Sequence, residues 1–234
     1  PGAVNALEEL RHAEQQVVFV TNNSGPSRAE LVATLVAAGV RVEPDDLVTS
    51  AMAAASMLTS GSSAAVVGGE GIREALQEAG VEVVSVSEAP PVVVVGRTRE
   101  LDYDELAAAA TAIRKGARFI ATNLDATFPT GGDPVPGAGA LIAFIATASG
   151  VQPEVAGKPE APMAELVATR HGPVRVVVGD RPDTDGRLAA RLGVTFALVL
   201  SGVTKRADLP VSPEPDLVAE DLAEVVSDLG YADR

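Results

Sequence analysis

The 234 residues contain no cysteine and no tryptophan, and their two histidines are His12 and His171. Without thiolates the chain forms neither disulfides nor cysteine-ligated metal sites, and two histidines are too few for a histidine-rich zinc centre. Basic runs are missing too: 18 Lys and Arg face 32 Asp and Glu, a net charge of −14. Such a surface repels nucleic-acid phosphates, so nucleic acid is not an expected partner. The longest strongly apolar stretch, around Ala140 to Ala148, falls well short of the ~20 residues that cross a bilayer. No membrane association is expected. The amino end carries Glu8 and Glu9 and no basic-then-apolar pattern, so it does not read as a secretory signal, and a cytoplasmic location is the default expectation.

What is present is Ala, Val and Leu. Apolar residues make up 47% of the chain, aromatics 3% and charged residues 21%, a composition suited to a globular enzyme-like fold. The length exceeds the usual single-domain prior of ~150 residues, so one large domain or a core with an inserted smaller one is expected. An anionic small substrate can approach so acidic a protein only where local cations, helix amino ends or a metal ion offset its field.

Strand and helix alternate along the chain. A helix over Val4 to Gln15 precedes a short buried strand, Val17 to Val20, and the polar turn Thr21-Asn22-Asn23-Ser24-Gly25-Pro26. Ser27 and Glu30 form a capping box for the helix Arg28 to Ala38. Thr59 to Ser63 is the most linker-like stretch and marks one boundary; Gly150 to Pro153 marks another. Between them lies a second α/β set, including the strand Val92 to Val95, the helix Asp102 to Lys115 and the strand Phe119 to Ala121. The loop Asp125 to Gly139 holds Pro129, Pro134, Pro136 and several glycines, too much punctuation for an element, and leads into an apolar helix, Ala140 to Ala148. The expected architecture is α/β, a Rossmann-like doubly wound parallel sheet with an inserted smaller α/β cap. The divisions are core 1–61, cap 62–152 and core 153–234.

The chemistry concentrates after Val176-Val177-Val178-Gly179-Asp180, an apolar strand stopping on a carboxylate, with Asp185 where the next helix should start. Singly, these acids read equally well as a turn aspartate and a helix-start aspartate, Thr21 to Ser24 as a helix-capping turn, and Lys158 as a surface lysine. Together they supply what phosphoryl transfer needs. Carboxylates hold Mg²⁺, a hydroxyl and backbone N–H groups grip phosphate oxygens, and a cation balances developing charge. Residues following parallel strands gather at the carboxyl edge of the sheet. Other templates fail: Gly157-Lys158 lacks the glycine and hydroxyl of a P-loop, Gly68-Gly69-Glu70-Gly71 lacks dinucleotide spacing, and there is no Gly-x-Ser-x-Gly elbow.

Phe19-Val20-Thr21-Asn22-Asn23-Ser24, Gly157-Lys158-Pro159 and Gly179-Asp180 through Asp185 resemble, in order, the second, third and fourth motifs of haloacid dehalogenase-superfamily phosphatases. Thr122-Asn123-Leu124-Asp125, Pro136-Gly137-Ala138-Gly139 and Leu200-Ser201-Gly202-Val203-Thr204 narrow the resemblance to the nitrophenyl phosphatase and NagD-like subfamily. The resemblance implies a Mg²⁺-dependent phosphomonoesterase working through an aspartyl-phosphate, with a cap inserted between the second and third motifs. It gives phosphoryl binding to Thr21 and Asn22, charge neutralisation to Lys158, and Mg²⁺ to Asp180, with Asp185 supporting the ion directly or through water. Asn23 and Arg28 would reach toward substrate. The loop Asp125 to Thr130 would hang over the site, with Phe128 packing either on substrate or inside the cap. The implied partner is a small phosphorylated metabolite, among them glycerol phosphate, phosphoglycolate, sugar phosphates, nucleoside monophosphates and pyridoxal phosphate. By the same resemblance a homodimer formed through the cap is an expectation.

Two departures stand out. The family's nucleophile and acid/base lie in an Asp-x-Asp-Gly motif just upstream of the segment resembling Pro1-Gly2-Ala3-Val4, and no such motif stands there in this sequence; Asp183-Thr184-Asp185-Gly186 has the same spelling but falls within the segment resembling the fourth motif. Truncation is the simplest expectation; a non-catalytic phosphate-binding or interaction protein is the alternative. Gly96-Arg97-Thr98-Arg99 stands where relatives often carry an aspartate near position 98.

Overall fold

The computed structural model describes residues 2–130 and 132–231. Pro1, the first residue of the compared segment, and Gly131, in the punctuated loop, lie outside the described residues. The elements alternate as an α/β chain. In order they are α1 (Ala3–His12), β1 (Phe19–Thr21), α2 (Arg28–Ala37), β2 (Leu47–Thr49), α3 (Ser50–Ser56), β3 (Ser63–Val67) and α4 (Glu70–Glu78). There follow β4 (Glu82–Val84), β5 (Val92–Val95), α5 (Tyr103–Arg114), β6 (Arg118–Ala121), β7 (Thr127–Phe128), β8 (Val135–Pro136) and α6 (Ala138–Ser149). The chain closes with β9 (Glu154–Val155), α7 (Ala161–His171), β10 (Val176–Gly179), α8 (Arg187–Leu192), β11 (Thr195–Val199), β12 (Leu217–Ala219) and α9 (Leu222–Asp228). No helix among the described residues is long and apolar enough to cross a membrane.

Two compact units emerge. Among the described residues the first comprises 2–19, 32–47 and 158–231. Its parallel sheet runs β10-β11-β12, with Val176 opposite Thr195, Gly179 opposite Leu198 and Ala197 opposite Leu217. Side chains alternate faces along a strand, and the central strand β11 is buried on both. Phe196 and Leu198 pack with Ala189 and Leu200 on one side, whereas Ala197 packs with Ala219 and Val225 on the other. That two-sided burial explains the continuous apolar run Phe196-Ala197-Leu198-Val199.

The second unit comprises Val20–Leu31 and Val48–Gly157. Its sheet is five-stranded and parallel throughout, in the order β4-β3-β5-β6-β9. Val93, Val95, Phe119 and Ala121 meet Leu106, Ile113, Ile142 and Ile145 of α5 and α6 in its main core. The chain leaves β3 for β4 on one side and returns as β5 on the other, so the topological switch lies between β3 and β5. In open parallel sheets the carboxyl ends at such a switch form the ligand crevice. Here the turn after β1 reaches it: Gly71 N–H donates to the Gly25 carbonyl at 3.0 Å, and Arg97 N–H donates to Ser24 Oγ at 3.3 Å.

The punctuated loop differs from expectation. Thr127 and Phe128 pair antiparallel with Pro136 and Val135, forming a minimal hairpin, and α6 starts at Ala138 rather than Ala140. Proline has no N–H for a ladder, which keeps the hairpin this short.

Candidate active site

In the first unit, β10 ends on Gly179 and delivers Asp180 to a turn. The loop following β11 folds onto this aspartate. Val203 N–H donates to Asp180 Oδ2 at 2.6 Å, and Thr204 N–H donates to the Asp180 carbonyl at 3.2 Å. Gly202 permits the approach, because a Cβ there would overlap the Asp180 carboxylate. One carboxylate oxygen is thus fixed by a backbone amide. The other, Oδ1, has no hydrogen-bond donor among the described residues.

Asp185 is held differently. Pro182–Gly186 forms a π-helical turn ahead of α8, a wide turn that sequence reading takes for a helix start. Asp185 Oδ1 accepts from Lys158 Nζ at 2.7 Å and Oδ2 from Arg181 N–H at 3.1 Å. The paired side chains are 14% and 7% exposed for Lys158 and Asp185. Both Asp185 oxygens therefore have protein donors, whereas Asp180 presents an open one. Mg²⁺ is bound through one or two carboxylates completed by waters and phosphate oxygens. Among the described residues no cluster of three or more His, Asp or Glu could hold a metal. The open Asp180 oxygen is of the kind that Mg²⁺ takes when waters and phosphate oxygens complete its shell, while Asp185 anchors Lys158.

In the second unit the turn after β1 is clamped through its peptide groups. The Asn22 carbonyl accepts from Ser50 Oγ at 2.8 Å and from Asn123 Nδ2 at 2.7 Å. The Asn22 side chain donates to both Asp125 carboxylate oxygens, at 3.4 and 3.2 Å. Ser24 Oγ pairs with Thr122 Oγ1 at 2.9 Å in the interior. Thr21 Oγ1 accepts from Asn23 N–H at 3.0 Å, which leaves its hydroxyl proton to be donated. A Ser27–Glu30 capping box opens α2 as expected, Ser27 N–H donating to Glu30 Oε2 at 2.8 Å and Glu30 N–H to Ser27 Oγ at 3.2 Å.

The structure thus brings together Lys158 with Asp185 and Asn22 with Asp125. Arg28 turns to α4, where its guanidinium pairs with Glu78 at 2.5 Å and its amide donates to Glu74 at 2.8 Å. Phe128 lies under the guanidinium of Arg97, 3.7 Å from ring centroid to Cζ. Burial, and then the neighbouring charge of Arg99, hold Arg97 below the ordinary arginine pKa. Sequence reading assigned no role to Ser50, Asn123, Val203 or Arg97. Thr122-Asn123 and Gly202-Val203 did stand out as motif segments, but a backbone amide donor has no residue-type signature.

Residues 1–82 match the profile of a family described as haloacid dehalogenase-like hydrolase, and residues 155–225 match a second, HAD-hydrolase-like profile. Among curated relatives, D-glycerol 3-phosphate phosphatase of Mycobacterium tuberculosis is 37% identical over 97% of this chain, which spans 66% of that relative's length. Acid sugar phosphatase of Staphylococcus haemolyticus is 33% identical, covering 97% of this chain and 89% of its own. Of solved structures, a p-nitrophenyl phosphatase from Archaeoglobus fulgidus matches with TM-score 0.90 at 31% identity, over 97% of this chain and 92% of that one. Glycerol phosphate phosphatase from M. tuberculosis, solved in complex with magnesium, matches with TM-score 0.88 at 35% identity, over 94% of this chain and 69% of that one. The chain belongs to the haloacid dehalogenase-like hydrolases.

Proposed function

We propose that the full-length protein is a Mg²⁺-dependent phosphatase acting on a small phosphomonoester, with residues 62–152 as its inserted cap. The observation that carries this reading is the pair of unlike acids beyond β10. Asp180 has one oxygen fixed by Val203 N–H and one open, and Asp185 is committed to a buried lysine. Bound Mg²⁺ would neutralise charge on the phosphoryl oxygens. Asp180 would hold it, and the Gly202-Val203 loop keeps that carboxylate from turning away. Following the resemblance, Lys158, positioned by Asp185, would direct an ammonium group to the phosphate, and the Thr21 hydroxyl and the Asn22 amide would donate to phosphoryl oxygens. Asn22 is kept in place by Ser50, Asn123 and Asp125.

We take the nucleophile of this chemistry to belong to an Asp-x-Asp-Gly motif upstream of the segment resembling Pro1-Gly2-Ala3-Val4, distinct from Asp183-Thr184-Asp185-Gly186 in the turn beyond β10. The test therefore uses the full-length gene product. With Mg²⁺ it should hydrolyse p-nitrophenyl phosphate, and a chelator should abolish the reaction. Asp180→Ala should lower kcat/KM by on the order of a hundredfold. Activity undiminished in Asp180→Ala rejects the metal assignment, and no hydrolysis by wild type with Mg²⁺ rejects the phosphatase reading.

A further inference from the structure

Ser50 opens α3 fully buried, in a run whose other members as far as Ala55 are alanine and methionine. Its hydroxyl donates to the Asn22 carbonyl at 2.8 Å, and the side-chain amide of Asn123, a residue 2% exposed, donates to the same oxygen at 2.7 Å. Asn123 is tied at its other end, where Oδ1 accepts from Asp125 N–H at 3.1 Å. The turn has no room to relax, because a Cβ on Gly157 would stand 2.5 Å from Asn22 Oδ1 and 2.9 Å from Ser50 Cβ. One donor satisfies a buried carbonyl. The second is surplus to burial, and both come from side chains of other segments.

The peptide gripped in this way leads to Thr21. A carbonyl and the N–H of the next residue share one conjugated peptide unit, so donors on the Asn22 carbonyl polarise the Asn23 N–H. That N–H donates to Thr21 Oγ1 at 3.0 Å. A hydroxyl that accepts on one lone pair keeps its own proton for another acceptor, and hydrogen bonds in series strengthen one another where water is excluded. The series runs from Ser50 and Asn123 through the Asn22–Asn23 peptide to the Thr21 hydroxyl, all within the second unit.

We propose that Ser50 and Asn123 are positioning residues that act through this peptide on the Thr21 hydroxyl, fixing its direction and strengthening its donation to a phosphoryl oxygen. Neither touches substrate in this account. The proposal rests on the phosphatase reading, in which Thr21 binds the phosphoryl group. A donor set in advance stabilises charge on the reacting group without reorganising when that charge develops. The effect therefore belongs to kcat, since only interactions stronger in the transition state than with bound substrate accelerate the chemical step.

The test is a double-mutant cycle between Ser50→Ala and Thr21→Val, using p-nitrophenyl phosphate and the full-length Mg²⁺-loaded protein. Thr21→Val should lower kcat by roughly a hundredfold, as for the loss of one donor to the reacting group. Ser50→Ala should lower kcat about fivefold, the worth of one ordinary hydrogen bond, with KM changed less than about twofold. In the Thr21→Val background the same substitution should cost less than about twofold, because its path to the substrate is gone. Asn123→Ala gives the same comparison from the other donor. Equal fold losses in the two backgrounds, no loss in Ser50→Ala, or a loss confined to KM overturns the proposal. If the wild type hydrolyses no ester, the phosphatase reading fails separately. The Asn23 amide proton then decides the series by NMR: an upfield shift in Ser50→Ala supports it, and an unmoved resonance overturns it.

Discussion

Lys158→Met isolates the Asp185 carboxylate in the interior of the first unit and so measures the pair that organises the end of β10. At 2.7 Å the ion pair has a gross attraction of about 6 kcal/mol at an effective dielectric of ~20. Desolvation of both groups removes much of that, but removing one partner leaves the other charged, buried and held by Arg181 N–H alone. The loss expected for breaking such a pair is about 3–5 kcal/mol. In a chain of this size each kcal/mol shifts Tm by roughly 2–4 °C, so Tm should fall by roughly 6–20 °C. Replacing both residues, as in Lys158→Met/Asp185→Leu, removes the orphaned charge and should recover most of the stability. Calorimetry and urea denaturation of the wild type, two singles and the double give the coupling energy directly. Single-variant losses below about 1 kcal/mol, the range of exposed pairs, would refute the reasoning, as would a double variant no more stable than the sum of the singles.

Other consequences are equally concrete. Gly202→Ala puts a Cβ into the Asp180 carboxylate, so Mg²⁺ affinity by calorimetry should drop about 10–100-fold, as when a ligand's supporting contact is lost. Ser27→Ala removes the capping hydroxyl of α2 and should cost about 1 kcal/mol in urea denaturation, with Ser27→Gly costing less. Arg118 donates twice to Glu154, at 2.7 Å each, which holds this carboxyl below its ordinary value of 4.5. Its folded pKa is therefore lower than its unfolded one, so the stabilisation is full above the unfolded value and disappears as pH falls through the folded value. The side chains are 38% and 50% exposed, so Glu154→Gln should cost less than about 1 kcal/mol at neutral pH and the difference should vanish in acid, as read from pH-dependent unfolding.

The alternation of apolar runs and helical periodicity made β5, β10 and the capping box of α2 legible from the sequence. These elements are specified locally, by side-chain period and by caps. The wide turn at Pro182–Gly186 was not, because its Pro-Asp-Thr-Asp composition is also that of an ordinary helix start. The hairpin of Thr127–Phe128 with Val135–Pro136 was hidden by proline and glycine that normally signal its absence. In the candidate site, the acids and the lysine were visible as residue types. What holds them was not: Asp180 is fixed by a main-chain amide of Val203, and Asn22 by a hydroxyl and an amide from Ser50 and Asn123. Arg97 lies over the Phe128 ring, a proximity that no local pattern encodes.

The central claim is that the turn beyond β10 is a Mg²⁺ corner with Asp180 as its protein ligand. Calorimetric titration of Mg²⁺ into the chain and into its Asp180→Ala variant tests it most directly. The account predicts one saturable site in the wild type, weakened at least about tenfold in the variant. Equal Mg²⁺ affinity in the two proteins would contradict it.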